Sequence, residues 1–222
     1  MKQQLSLKLG YRTAVDRDDF FVWSGNSEAV TWIDRWPNWP VPCCVIVGPQ
    51  GCGKSHLVQV FAEQTRGLVL SADELLGGDA MRIAIESPAV AVDDVDMTAN
   101  LEVNLLHLFN ALMELGHCLL LTAQSAPSRW NLSLPDLRSR LCAAPSVQIS
   151  PPSDAMMDAV LVKLFADRQL VVSPESITYI VRHLDRTFEA ARNVVEASDR
   201  AALEKKGRVT VPLLKSVIKD IM

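Results

Sequence analysis

Residues 48–55 read Gly48-Pro49-Gln50-Gly51-Cys52-Gly53-Lys54-Ser55. This is a G-x-x-x-x-G-K-S spacing, and its residue types suit the holding of phosphate. Glycine lets the backbone turn its N–H groups inward at φ values that side chains forbid. A helix opening directly after the turn, at His56, adds partial positive charge where phosphate would sit. In such a loop Lys54 reaches the β- and γ-phosphates, and the Ser55 hydroxyl ligates Mg²⁺. A chance glycine turn before an amphipathic helix is the bland alternative, and it leaves the complete pattern and its flanks unexplained. Cys52 stands at a position the pattern leaves free, so it reads as loop filler rather than as a redox thiol. A second group of polar residues, Asp93-Asp94, ends the apolar run Ala89-Val90-Ala91-Val92. A phosphate loop upstream creates a use for both carboxylates, Asp93 in the Mg²⁺ shell and Asp94 polarising water. The plain alternative is a solvated pair at a strand end.

The elements that must position these groups are legible in the apolar periodicity. Cys43-Cys44-Val45-Ile46-Val47 is a short continuous apolar run, the mark of a buried parallel strand. Leu68–Leu70, residues 88–94, Cys118–Thr122 and Val147–Ile149 read as four more strands. Helical spacing is expected over 27–36, from His56 onward, and over 104–114, with Ser71 starting a further helix. Strands alternating with helices imply an α/β domain with a five-stranded parallel sheet and ligands at the strands' carboxyl ends. Thr122, Gln124 and Ser125 form a polar end to the fourth strand. Phe20, Phe21 and Val22 suit an adenine pocket and core packing equally. Arg138 and Arg140, on a short helix, are either solvated or guanidinium groups that stabilise charge on a transferring phosphoryl, often from a neighbouring subunit. Ser150-Pro151-Pro152-Ser153 breaks the pattern and marks the domain boundary. Residues 154–168, 174–184, 188–203 and those after Thr210 are helical, giving an all-helical lid over 151–222. Arg186 and Arg192, taken alone, read as surface.

Composition bounds the partners. The chain has 222 residues, 49% hydrophobic and 22% charged, with net charge −4. That describes a folded domain with ample core and argues against broad electrostatic binding of duplex DNA. No apolar run nears the ~18 residues needed to span a bilayer, and no signal-peptide core is present, so a cytoplasmic, non-membrane protein is expected. Of the five cysteines, Cys43, Cys44 and Cys118 lie in strand-like apolar runs and read as reduced core residues.

Residues 1–9 alternate Leu5, Leu7 and Leu9 with Ser6 and Lys8, a period-two pattern that suits an extended segment. It reads either as an edge strand on the chain's own sheet or as a peptide docking in another protein's groove. Gln4-Leu5-Ser6-Leu7-Lys8-Leu9 resembles the sliding-clamp-binding hexapeptide of bacterial clamp partners, with Lys8 where a proline is frequent.

The ordered set of phosphate loop, Val-Asp-Asp strand end, polar fourth strand end, Leu137-Arg138-Ser139-Arg140-Leu141 and helical lid resembles the AAA+ module of the bacterial replication initiator DnaA over residues 18–222. The clamp-like peptide, and a chain ending after the lid without a helix-turn-helix domain, point to DnaA's shorter relatives, the Hda family. The resemblance implies a P-loop AAA+ module over 10–150 with ADP or ATP and Mg²⁺. It implies nucleotide contacts from Phe21, Val22, Gly48, Gly51, Cys52, Gly53, Lys54, Ser55 and His56, and metal ligation by Ser55 and Asp93. Gln124 matches the polar sensor, Arg140 an arginine finger acting on a partner's nucleotide, and Arg186 the lid's sensor arginine. Gln4, Leu5, Leu7 and Leu9 match clamp-docking positions. Gln124 is neutral where DnaA is acidic. Asp94 has a shorter arm than the glutamate of most AAA+ hydrolases, so intrinsic ATPase is expected to be weak. The implied function is regulatory inactivation of replication initiation, with the sliding clamp and DnaA as partners, no sequence-specific DNA binding, and monomer and homodimer both compatible. A self-assembling ATPase of helicase-loader type and a nucleotide-stabilised adaptor are the alternatives.

Overall fold

The computed structural model describes residues 22–95, 99–204 and 208–221. They divide into two compact units: residues up to Pro49 with Lys54–Ser150, and Gln50–Gly53 with Pro151–Met222.

In the first unit five strands pair in parallel in the order β2-β3-β4-β1-β5. They are β1 Cys43–Val47, β2 Leu68–Leu70, β3 Ala89–Val92, β4 Cys118–Ala123 and β5 Ser146–Gln148. β1 lies between β4 and β5, with Val45 opposite Leu121 of β4 and Ser146 of β5. Every side chain of β1 is buried, which is why its sequence is a continuous apolar run rather than an alternation. The odd-numbered residues Val45 and Val47 share one apolar core with Val90, Val92, Leu119 and Leu121, and with Leu101, Leu105 and Leu108 of helix α5, Ala99–Glu114. Helix α2, Lys54–Thr65, packs on β2, β3 and β4 through an apolar face that includes buried Leu57, Val58 and Phe61.

The remaining helices of this unit are α1 Ser27–Asp34, α3 Ala72–Gly77, α4 Ala80–Glu86 and α6 Pro135–Ala143. Ser71 and Glu74 form a reciprocal capping box at α3. Asp79 accepts the Met81 and Arg82 N–H groups at the start of α4, a helix the periodicity does not reveal. Two further elements differ from expectation in their ends. α1 stops at Asp34, short of Trp36 and Pro37, because Pro cannot continue a helix and restricts the residue before it. α5 begins at Ala99, a full turn earlier than its apolar spacing suggests.

The second unit holds α7 Asp154–Asp167, α8 Pro174–His183, α9 Phe188–Glu204 and α10 Val211–Ile221. Ser153 and Ser173 cap α7 and α8, and Pro174 occupies a first-turn position whose N–H would have no helical partner. Met157, Leu161, Ile180, Val194, Val195 and Leu214 are buried where α7, α8, α9 and α10 pack.

Candidate functional site

The phosphate-loop pattern lies between β1 and α2, as the sequence predicts. Gly51 and Gly53 adopt φ of +73° and +102°, in the region that favours glycine. Gly48 N–H donates to the Ala123 carbonyl at 3.0 Å, tying the start of the loop to the end of β4. Lys54 is buried at the first turn of α2, and its ammonium donates to the loop's own carbonyls, Gly48 at 2.9 Å and Pro49 at 3.2 Å. Buried charge needs such partners, and they hold Nζ at the mouth of the turn. Ser55 is exposed, His56 is half-buried, and Cys52 is buried.

The crest of the loop belongs to the second unit. Gly51 carbonyl accepts the Phe188 N–H at 3.3 Å, and a Cβ on Gly51 would stand 2.6 Å from Thr187 Cβ. Thr187 in turn caps α9 through a 3.0 Å bond from Ala190 N–H. Arg186, just before it, pairs with Asp154 at 2.9 Å, and both side chains are more than half exposed.

At the carboxyl end of β3 the acidic pair is held by a residue from β4. The buried Thr122 hydroxyl donates to Asp93 Oδ1 and accepts the Asp94 N–H at 2.7 Å. Thr122 carbonyl also accepts Val95 N–H at 2.7 Å. This three-point tether keeps Asp94 at φ +49°, unusual for a side-chain-bearing residue. Asp93 is half-buried and Asp94 exposed. The sequence marks Thr122 only as part of a polar strand end with Gln124 and Ser125. Its hydroxyl is instead occupied in positioning both carboxylates. Gln124 is exposed and lines a cleft of about 460 Å³ with Asp94, Ser125, Arg129, Trp130 and Asn131.

Arg140 lies in α6. Its Nε donates to Asp136 at 2.8 Å, which pushes its pKa up, and its guanidinium sits 5.4 Å from the centre of the Phe109 ring. Sequence reasoning missed Glu102. It is a buried carboxylate on α5 that accepts from Ser133 N–H, Ser133 Oγ and Leu134 N–H, all between 2.9 and 3.0 Å. Burial pushes this carboxyl up, but the bonds from Ser133 and Leu134 outweigh it and hold it below its ordinary value. A charged residue within the buried stripe of α5 was the available signal. Val22 is half-buried. Phe21 and the peptide residues Gln4, Leu5, Leu7 and Leu9 lie outside the described residues.

Among the described residues no group of three or more His, Cys, Asp or Glu side chains could hold a metal, and no helix is long and apolar enough to cross a membrane.

Residues 154–218 match the family model for the Hda lid domain. A protein of Haemophilus influenzae without an assigned function is 26% identical over 188 residues, 80% of this chain and 81% of its own. Among solved structures, domain III of the Thermotoga maritima replication initiation protein DnaA superposes with a TM-score of 0.78 at 18% identity, covering 90% of this chain and 94% of that one. AMPPCP-bound DnaA from Aquifex aeolicus gives 0.72 at 18% identity, covering 83% of this chain and 65% of that one. The sheet, its flanking helices and the helical region after them have the fold of DnaA domain III, and residues 154–218 are similar to an Hda lid.

Proposed function

We propose that the protein is a nucleotide-bound regulatory inactivator of replication initiation. The observation that carries this reading is the Hda lid match on a chain whose fold is that of DnaA domain III.

The loop fits a nucleotide. Gly51 and Gly53 at positive φ, the N-terminus of α2 and the buried Lys54 ammonium supply the groups that such a loop uses to hold phosphate. The likeness to AMPPCP-bound DnaA supports the same ligand class, ADP or ATP. Gly48, Gly51, Cys52, Gly53, Lys54, Ser55 and His56 would hold the phosphates, with Val22 and Phe21 toward the base. A Mg²⁺ ion would take the Ser55 hydroxyl and the Asp93 carboxylate, a pair of hard oxygen donors that suits a cation completing its shell with water and phosphate oxygen. Such an ion neutralises phosphate charge when bound. Thr122 keeps Asp93 and Asp94 in position for this. Asp94, short and backbone-strained, suits weak turnover by this chain itself. Arg186 is the lid's phosphate-sensing candidate, and Gln124 the polar sensor.

In this reading residues 4–9 dock on the DNA-loaded sliding clamp through Gln4, Leu5, Leu7 and Leu9. Arg140 is then presented to ATP bound on DnaA. Asp136 takes one of the guanidinium's five donors and Phe109 supports its plane, so the group is braced and permanently charged. The test is Arg140→Ala in the full chain. The variant is expected to bind nucleotide and clamp as the parent does and to lose the stimulation of DnaA-bound ATP hydrolysis, ~10³-fold or more for a working finger. Unchanged stimulation would remove Arg140 from the mechanism.

A further inference from the structure

We infer that Glu102 is the positioning residue for Arg140, a proposal that rests on the reading of Arg140 as the group offered to a partner's nucleotide. The helix that carries Arg140 lacks a cap of its own. Leu134 occupies the N-cap position of α6 and has no side chain able to accept a hydrogen bond, and Pro135 opens the helix without an N–H. The acceptor comes from another helix, 31 residues earlier. Glu102 of α5 takes the Ser133 and Leu134 N–H groups and the Ser133 hydroxyl on its two carboxylate oxygens.

The second point of attachment is on the same helix. Phe109 follows Glu102 by seven residues, two turns of α5, so the two side chains leave the same face. Glu102 grips the chain where α6 starts, and Phe109 lies under the Arg140 guanidinium, with α6 between them anchored by buried Leu137 and Leu141. One rigid helix thereby sets both the origin of α6 and the resting place of its functional group. Asp136, a turn before Arg140, fixes the direction of Nε.

A buried carboxylate is costly unless fully partnered. Here burial raises its pKa and the donors at 133–134 lower it further still, so the group remains a charged, charge-assisted acceptor at neutral pH. A capping role alone could be met by a serine or aspartate at the N-cap itself. Placing the acceptor on α5 couples α6 to the core instead.

The experiment uses the full chain with Glu102→Gln and Glu102→Ala. Gln keeps the volume and one accepting oxygen, so it guards against loss of folding. Two readouts are taken: stimulation of ATP hydrolysis on preloaded DnaA, and amide hydrogen exchange over residues 133–141. Stimulation is expected to fall ~10-fold in E102Q and ~10²-fold in E102A, the scale of a group displaced by about an ångström. Nucleotide and clamp affinity are expected to stay unchanged, and exchange at residues 133–141 to accelerate ~10-fold or more in E102A while the sheet stays protected. Parent-like exchange in both variants would overturn the positioning role. Accelerated exchange with unchanged stimulation would overturn it too, provided that Arg140→Ala abolishes stimulation. If Arg140→Ala itself has no effect, the finger reading fails and the positioning role falls with it.

Discussion

The Thr122 hydroxyl donates to Asp93 Oδ1 across the β3–β4 pair and accepts the Asp94 N–H at 2.7 Å on its other side. A single buried oxygen thus sets the orientation of one carboxylate and the backbone of the next. Thr122→Val keeps the shape and removes both bonds, stranding a backbone donor. It is expected to lower stability by ~1–3 kcal/mol, or about 2–4 °C of Tm for each kcal/mol at this chain length. Thr122→Ser should retain most of the stability. Equal Tm for valine and threonine in thermal unfolding would contradict this role.

At Gly51, φ is +73° and a Cβ would meet Thr187 at 2.6 Å. Gly51→Ala therefore combines backbone strain of ~1–2 kcal/mol with displacement of the α9 cap. Nucleotide affinity should fall ~5–30-fold in a titration calorimeter, by the same conversion. Gly77→Ala is the control. Nothing lies within 4 Å of its built Cβ, so affinity should be unchanged.

Burial pushes the Cys43 thiol up, and that of Cys44 to about 12. Cys52 is buried as well, whereas Cys142 is exposed. Native alkylation at pH 8 should mark Cys142 rapidly and reach Cys43, Cys44 and Cys52 only on unfolding. Fast modification of Cys44, followed by mass spectrometry, would contradict the packing of β1.

The Glu102 carboxyl is held below its ordinary pKa in the folded protein, despite burial, because Ser133 and Leu134 donate to it. Its contribution to stability is therefore full above the unfolded value of about 4.3 and is lost as pH falls through the folded value. The stability gap between the parent and E102Q, from urea unfolding, should be constant from pH 8 to about 5 and narrow below about 4. A gap that widens on acidification would contradict the assignment.

The parts of the site that sit within one segment were legible in the sequence. The loop at 48–55 and the pair Asp93-Asp94 each declare themselves by local spacing, and five apolar runs announce the sheet. What could not be read depends on contacts between distant segments. Thr122 meets Asp93 only through the β3–β4 register, 29 residues apart. Glu102 meets Ser133 across 31 residues, and no local pattern pairs them. Thr187 beside Gly51 is a contact of the same kind. Helix α4 escaped because it is seven residues long and follows Gly77-Gly78, where local signals speak for a turn.

In the proposed function Arg140 acts on ATP held by DnaA once the first nine residues have docked this protein on a loaded clamp. The most direct measurement is hydrolysis of ATP preloaded on DnaA, with this protein added, with and without DNA-loaded clamp, and with residues 1–9 present or deleted. Stimulation of ~10³-fold or more that requires both the clamp and residues 1–9 is expected. Stimulation independent of both, or none at all while the protein turns over ATP by itself, would contradict this reading.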